Sequence, residues 1–227
     1  ILLDGDSQNA DNSDIIKPYL NTTVDQVTLQ RSFVGDGGWY TLCLPFALTS
    51  EDIKNQFQGA DFQEFTGMTM NADNSFSLNF SKVSETKAGV PYMVCPVSGS
   101  EINNPVFTNK TITTDQPGTV THKCGNMPSY ECSFTGIFDP TDVHDRTIRF
   151  VSADGVTLKM AATDDNSKLK GLRAYVKLPS ESTAAKISCV DTTNGITTAE
   201  SGTHVTKLGV YDLYGRYIGT SAERLEH

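Results

Sequence analysis

Gly38-Trp39-Tyr40-Thr41-Leu42-Cys43-Leu44-Pro45-Phe46 decides how this chain is read. The stretch alternates as a strand, with Trp39, Thr41 and Cys43 on one side and Tyr40, Leu42 and Leu44 on the other. Both rows are apolar or nearly so. A strand apolar on both faces belongs inside a sheet that is covered on both sides. Gly37-Gly38 opens it, and Pro45 closes it because proline cannot donate to the ladder. Trp39, the only tryptophan, is therefore expected in the core as a structural residue.

Outward from this stretch the chain reads as a series of short strands. Upstream, Val27, Leu29, Arg31 and Phe33 alternate with polar residues. Downstream, Glu51 to Phe57 is the one good helix candidate: Thr49 can cap it, Asp52 stands three residues on, and Ile53 and Phe57 share a face. Strands follow at 62–70 and 76–82, joined by the turn Asn71-Ala72-Asp73-Asn74. Pro91 to Pro96 is next, then 106–112, 120–124, 132–138, 147–151, 157–160, 172–178 and 187–190, with Ala153-Asp154-Gly155 as a hairpin turn. About a dozen strands at a spacing of roughly 8–12 residues, without helical crossovers, predict an all-β fold: an antiparallel β-sandwich with one short helix near residues 51–57.

This patterning divides the chain. Residues 1–24, polar and acidic, read as a linker or edge segment, and residues 25–190 as the β-sandwich domain. The Thr-, Gly- and Ser-rich residues 191–208 read as a linker. Residues 209–227 read as a C-terminal hairpin, turning at Asp212 to Gly215, that either packs on the main domain or is the cut end of a larger module.

Charge and composition exclude several functions. The 227 residues carry a formal net charge of −9. An acidic surface without a Lys/Arg cluster repels phosphate backbones and anionic membranes, so no nucleic-acid partner is expected. No apolar run approaches the roughly 20 residues of a membrane-spanning helix. Phosphate-cradling glycine motifs are absent, and no cofactor is expected. No G-x-S-x-G surrounds a serine, and no nucleophile signature surrounds a cysteine.

The five cysteines are Cys43, Cys95, Cys124, Cys132 and Cys189. The odd count leaves at least one unpaired within a monomer. Cys124 and Cys132 flank a turn-rich segment and are the candidate disulfide; the competing reading makes all five small buried apolar residues. A zinc set of His122, Cys124, Cys132 and Cys189 lacks the paired spacing of a zinc site. The acids at 4, 6, 11 and 14 raise a calcium loop, but the distal bidentate Glu is missing. No metal is expected. The rings best placed for a ligand are Tyr130, in a turn, and Tyr214 and Tyr217, in the C-terminal hairpin. Arg173 is expected to pair with a carboxylate on a neighbouring strand, orienting two pieces of backbone.

Several pieces together resemble a β-rich module of exported and cell-surface proteins of Bacteroidetes bacteria. The matching stretches are Trp39 to Phe46, Gly89-Val90-Pro91-Tyr92-Met93-Val94, Asn104-Pro105-Val106-Phe107, Phe134-Thr135-Gly136-Ile137-Phe138 and Leu172-Arg173-Ala174-Tyr175-Val176-Lys177-Leu178. Tyr211-Asp212-Leu213-Tyr214-Gly215-Arg216 resembles the opening of the C-terminal β-modules of such proteins. The resemblance spans about residues 25–218 and implies an extracellular or cell-surface location, an all-β domain and no established catalytic residues.

Three functions follow as expectations. The first is a non-catalytic structural or adhesive module, with neighbouring domains of the same polypeptide, a glycan or a host surface protein as partner. The second is a carbohydrate-binding module of a polysaccharide-processing system. The third is a glycosidase-like enzyme, which requires a carboxylate pair about 5–10 Å apart in a cleft.

Overall fold

In the computed structural model, the described residues are 1–151, 158–160, 168–180, 185–190, 209–211 and 217–220. The turn at Ala153-Asp154-Gly155, the segment 191–208 and the turn at 212–216 lie outside them. The chain divides into two units, Ile1–Thr193 and Asn194–His227.

The first unit runs through β1 (Leu2–Asp4), α1 (Asn12–Ile16), β2 (Thr22–Gln30), β3 (Ser32–Val34), β4 (Tyr40–Cys43), α2 (Ser50–Gln56), β5 (Asp61–Met70), β6 (Phe76–Val83), β7 (Pro91–Cys95) and β8 (Glu101–Asn103). It continues through β9 (Val106–Ile112), β10 (Thr119–Lys123), β11 (Glu131–Ile137), β12 (Thr141–Asp142), β13 (Ile148–Val151), β14 (Leu158–Met160), β15 (Lys168–Leu169), β16 (Arg173–Lys177) and β17 (Ala185–Val190). In the second unit β18 (Gly209–Tyr211) and β19 (Tyr217–Thr220) form an antiparallel hairpin.

A central five-stranded sheet, ordered β17-β6-β5-β7-β4, buries both of its faces. One face, with Leu42, Phe62, Tyr92 and Val94, joins a core with Leu3, Val27, Leu29 and Phe107 of the small sheet β1-β2-β9. Ile53 and Phe57 bring α2 into that core, where the Phe57 ring meets Phe62 edge-on at 5.0 Å. The opposite face, with Phe65, Leu78, Phe80 and Met93, packs on Phe134, Ala174 and Val176 of a second five-stranded sheet, β10-β11-β16-β13-β14. Each fully buried Leu or Phe contributes about 1.5–3 kcal/mol before the entropy of ordering the chain is set against it. A register shift between Phe65 and Gly67 keeps Met68 on the same face as Phe65, so β5 serves this core along its length.

The all-β sandwich architecture agrees with the sequence pattern, and so does α2. Thr49 Oγ1 accepts from the Asp52 N–H at 3.2 Å, and the Asp52 carboxylate accepts from the Thr49 N–H at 2.8 Å, closing a capping box. The 71–74 turn joins β5 to β6, with Asn74 at φ 62°.

Four expectations are corrected. Nineteen strands are present among the described residues, because strands such as β8, β12 and β15 are too short to show a period. A second helix, α1, lies in the acidic segment, where the Asp11 carboxylate accepts from the Asp14 N–H at 3.2 Å. Pairing is not wholly antiparallel: β1 runs parallel to β2, and β17 parallel to β6.

The fourth correction concerns the opening stretch. β4 is an edge strand, with β7 as its ladder neighbour. It is nevertheless buried, because other segments close its open side. The Cys43 N–H donates to the Leu172 carbonyl at 3.3 Å, Thr41 Oγ1 accepts from the Ala174 N–H at 3.0 Å, and the Thr41 carbonyl accepts from Arg31 Nη1 at 2.7 Å. Trp39 precedes the strand and is half-buried, packed against the margin of the core that holds Phe65, Phe80 and Phe134.

Candidate functional site

Between Arg31 and β4 on one side and β13, β15 and β16 on the other lies a cleft of about 200 Å³. Trp39, Tyr40, Phe150 and Leu169 supply its apolar lining; Arg31, Arg173 and Asp36 supply its charges.

Arg31 stands where the chain breaks between β2 and β3, and it is only 2% exposed. Its guanidinium lies 4.6 Å from the centroid of the Phe33 ring and 6.0 Å from that of Tyr40, within reach of the electron-rich ring faces. Nη1 donates to the carbonyls of Thr41 at 2.7 Å and Leu172 at 3.1 Å, while Nε has no hydrogen-bond partner among the described residues. Burial pulls this guanidinium well below its ordinary pKa, and the neighbouring charge of Arg173 adds to the effect, with Asp6 and Tyr40 opposing. An arginine starts so high that it remains a cation at neutral pH.

Arg173 shares the cleft. Its Nη1 donates to the carbonyls of Gly5 and Gly171, and its Nη2 lies 3.7 Å from Asp6 Oδ1. It therefore orients backbone through a carboxylate, but that carboxylate sits in the acidic loop after β1 and not on a neighbouring strand. Burial lowers its pKa and Asp6 opposes the shift. Asp36 is exposed at the rim, where its Oδ1 accepts from the Gly38 N–H at 2.9 Å. Tyr40 is held by its hydroxyl, which accepts from the Val34 N–H at 3.0 Å.

Among the described residues, Tyr130 and the Cys124–Cys132 pair are not part of this lining. Tyr130 is 36% exposed and rests edge-on against Phe76 at 5.6 Å. Tyr214 and the side chain of Tyr217 fall outside the described residues. Cys124 and Cys132 are free thiols, which corrects the disulfide expectation. In the β10–β11 ladder Cys132 faces His122, while the Cys124 N–H bonds the Tyr130 carbonyl. The two cysteines are thus diagonal neighbours, a geometry of about 7–8 Å that no disulfide spans. Burial pushes the thiols of Cys43 and Cys132 up to about 12, so neither is a ready nucleophile at neutral pH. His122 is held by the Phe65 carbonyl at 3.2 Å and by the edge-on Phe65 ring.

The acids of the N-terminal segment do not converge. Asp4 accepts from the Asp6 and Ser7 N–H groups, Asp6 faces Arg173, Asp11 caps α1 and Asp14 pairs with Lys17. Among the described residues no group of three or more His, Cys, Asp or Glu side chains could hold a metal ion.

Arg31 and Asp36 escaped the sequence reading as site residues. A signal for Arg31 was present: it occupies the inward row of Val27, Leu29, Arg31 and Phe33, where a charge demands a partner. No family model, curated protein or solved structure matches the chain.

Proposed function

We propose that this chain is a non-catalytic binding module of an exported or cell-surface bacterial protein, with its ligand held in the Arg31–Trp39–Arg173 cleft. The observation that carries the reading is the lining itself: aromatic and aliphatic walls with two arginines among them, the usual composition of a small-ligand site. Among the described residues the cleft lining includes one carboxylate, Asp36, whereas glycoside hydrolysis needs two. The exported location rests on the six family-like motifs and their order along the chain. A sugar is favoured as ligand because the half-buried Trp39 offers a ring surface at the cleft.

A glycan-array screen of the parent chain beside Trp39→Ala and Tyr130→Ala tests this. Binding to one glycan class that Trp39→Ala abolishes supports the cleft. Loss only in Tyr130→Ala moves the site to the β10–β11 turn. Silence across the array favours docking of neighbouring domains as the module's work.

A further inference from the structure

The charges of the cleft narrow the ligand class, an inference that rests on the binding reading above. Among the described residues, the carboxylate at ion-pair distance from either guanidinium is that of Asp6, 3.7 Å from Arg173. Arg31 is 2% exposed and has backbone carbonyls and ring faces as partners. The carboxylate that acts on Arg31, Asp6, is already paired with Arg173, so the two guanidiniums share one nearby negative charge and an anion delivered by a ligand would add to it. The arginine fork presents two parallel edges to a carboxylate. Nη1 of Arg31 is committed to Thr41 and Leu172, and Nε is enclosed by protein, so among the described residues Nη2 is the Arg31 donor left for the cleft.

Two further observations limit the anion. Asp36 lines the same cleft, and Asp6 stands beside Arg173, so a doubly charged group such as phosphate meets repulsion that a single charge meets less. The volume of about 200 Å³ equals roughly six or seven waters at liquid density, enough for one substituted six-membered ring. We infer that the cleft binds a monocarboxylate carried on a single six-membered ring, with the carboxylate on Nη2 of Arg31 beside Arg173 and the ring against Trp39. A uronic-acid sugar and a small aromatic acid share this chemistry.

The chain's single tryptophan makes the test direct, because the indole N–H gives one assignable NMR signal. The ¹⁵N-labelled chain is titrated with glucuronate, benzoate, glucose and inorganic phosphate, following the Trp39 indole and the arginine Nε–H signals. Glucuronate or benzoate is expected to shift both with a Kd of about 0.1–1 mM, and glucose and phosphate to leave them in place. By calorimetry, Trp39→Ala is expected to weaken that carboxylate about tenfold. Asp36→Asn, which keeps an oxygen for the Gly38 N–H, is expected to tighten it about threefold by removing a like charge. Arg31 is not substituted, since it also closes the edge of β4.

The inference is overturned if neither carboxylate moves these signals at about 20 mM, well above that Kd range. It is equally overturned if glucose or phosphate moves them as strongly. Glucose binding would leave the sugar-binding module standing and remove only the anionic class. Binding of benzoate alone would keep the anionic class and remove the sugar.

Discussion

Asn12 Nδ2 donates to the carbonyl of Phe138 at 2.8 Å, although the two residues lie 126 positions apart. The same amide nitrogen donates to the Asp4 carbonyl at 2.9 Å, and Asn12 Oδ1 accepts from the Asp4 N–H at 2.8 Å. Asn12 is fully buried, so it fastens the acidic segment to the domain from inside. Asn12→Ala would take these bonds from the Asp4 N–H and carbonyl, while the Phe138 carbonyl would keep the Leu172 N–H at 3.2 Å. A loss of about 2–4 kcal/mol is expected from urea unfolding, since each buried polar group left unpaired costs about 1–3 kcal/mol. A change below about 0.5 kcal/mol, the range of ordinary surface substitutions, would mean that the segment is not held this way.

Gly136 gives a physical reason for the glycine in Phe134-Thr135-Gly136-Ile137-Phe138. A Cβ there would run into the Sγ of Cys43 and lie 3.0 Å from its Cβ. Gly136→Ala is expected to destabilise the domain by about 1–3 kcal/mol, the usual penalty of overpacking. Adding Cys43→Ala should recover part of that loss, because the nearest obstructing atom is gone. A double-mutant cycle with no coupling would show that the contact is not the cause.

Acid should weaken the fold through two identified carboxyls. Burial by itself would raise Asp52, but the Lys110 ammonium and two bonds from Thr49 prevail and hold it below its ordinary value. The Asp145 carboxyl is lowered to about 2 by the hydroxyl and N–H of Thr147 and by Lys177. A carboxyl lowered on folding stabilises the native state above its unfolded pKa, near 3.9, and that contribution is lost as pH falls through the folded value. Urea midpoints should therefore drop between about pH 4 and pH 2. Asp52→Asn and Asp145→Asn together should flatten that limb; an unchanged slope would assign acid sensitivity elsewhere.

The thiols offer a separate check. With Cys43, Cys124 and Cys132 free and buried, native protein should react slowly with a thiol reagent. Among these four described cysteines Cys95, only partly buried, should react first. Non-reducing mass spectrometry of the purified chain should show no loss of two hydrogens between Cys124 and Cys132. A mapped Cys124–Cys132 bridge would contradict the diagonal register of β10 and β11.

Strands of five or more residues were legible because alternation, proline and turn chemistry act locally. Thr49 and Asp52 announced the start of α2 for the same reason. The two-residue strands β12 and β15 and the three-residue β8 carry no period and were not read, whereas Phe33 of β3 ran on from the alternation of Val27, Leu29 and Arg31. The edge position of β4 was hidden because burial on both faces looks the same whether a ladder or a buried arginine closes the open side. The cleft was the least legible part. Its lining comes from residues 31–41, 150–151, 169 and 173–174, which no spacing rule joins. The tyrosines favoured from sequence were chosen for turn position, and Tyr130 lies outside that lining.

The parallel pairing of β17 with β6 has a consequence for the order of events during synthesis. Ala185 pairs with Phe76 and Val190 with Ser81, so the central sheet is complete only after nearly all of the first unit has left the ribosome. Until then β6 keeps an open edge beside Phe76, Leu78 and Phe80, a template for wrong partners. Such a distant closure makes folding slow, and chains ending before β17 should collect as aggregates while the full first unit stays in solution.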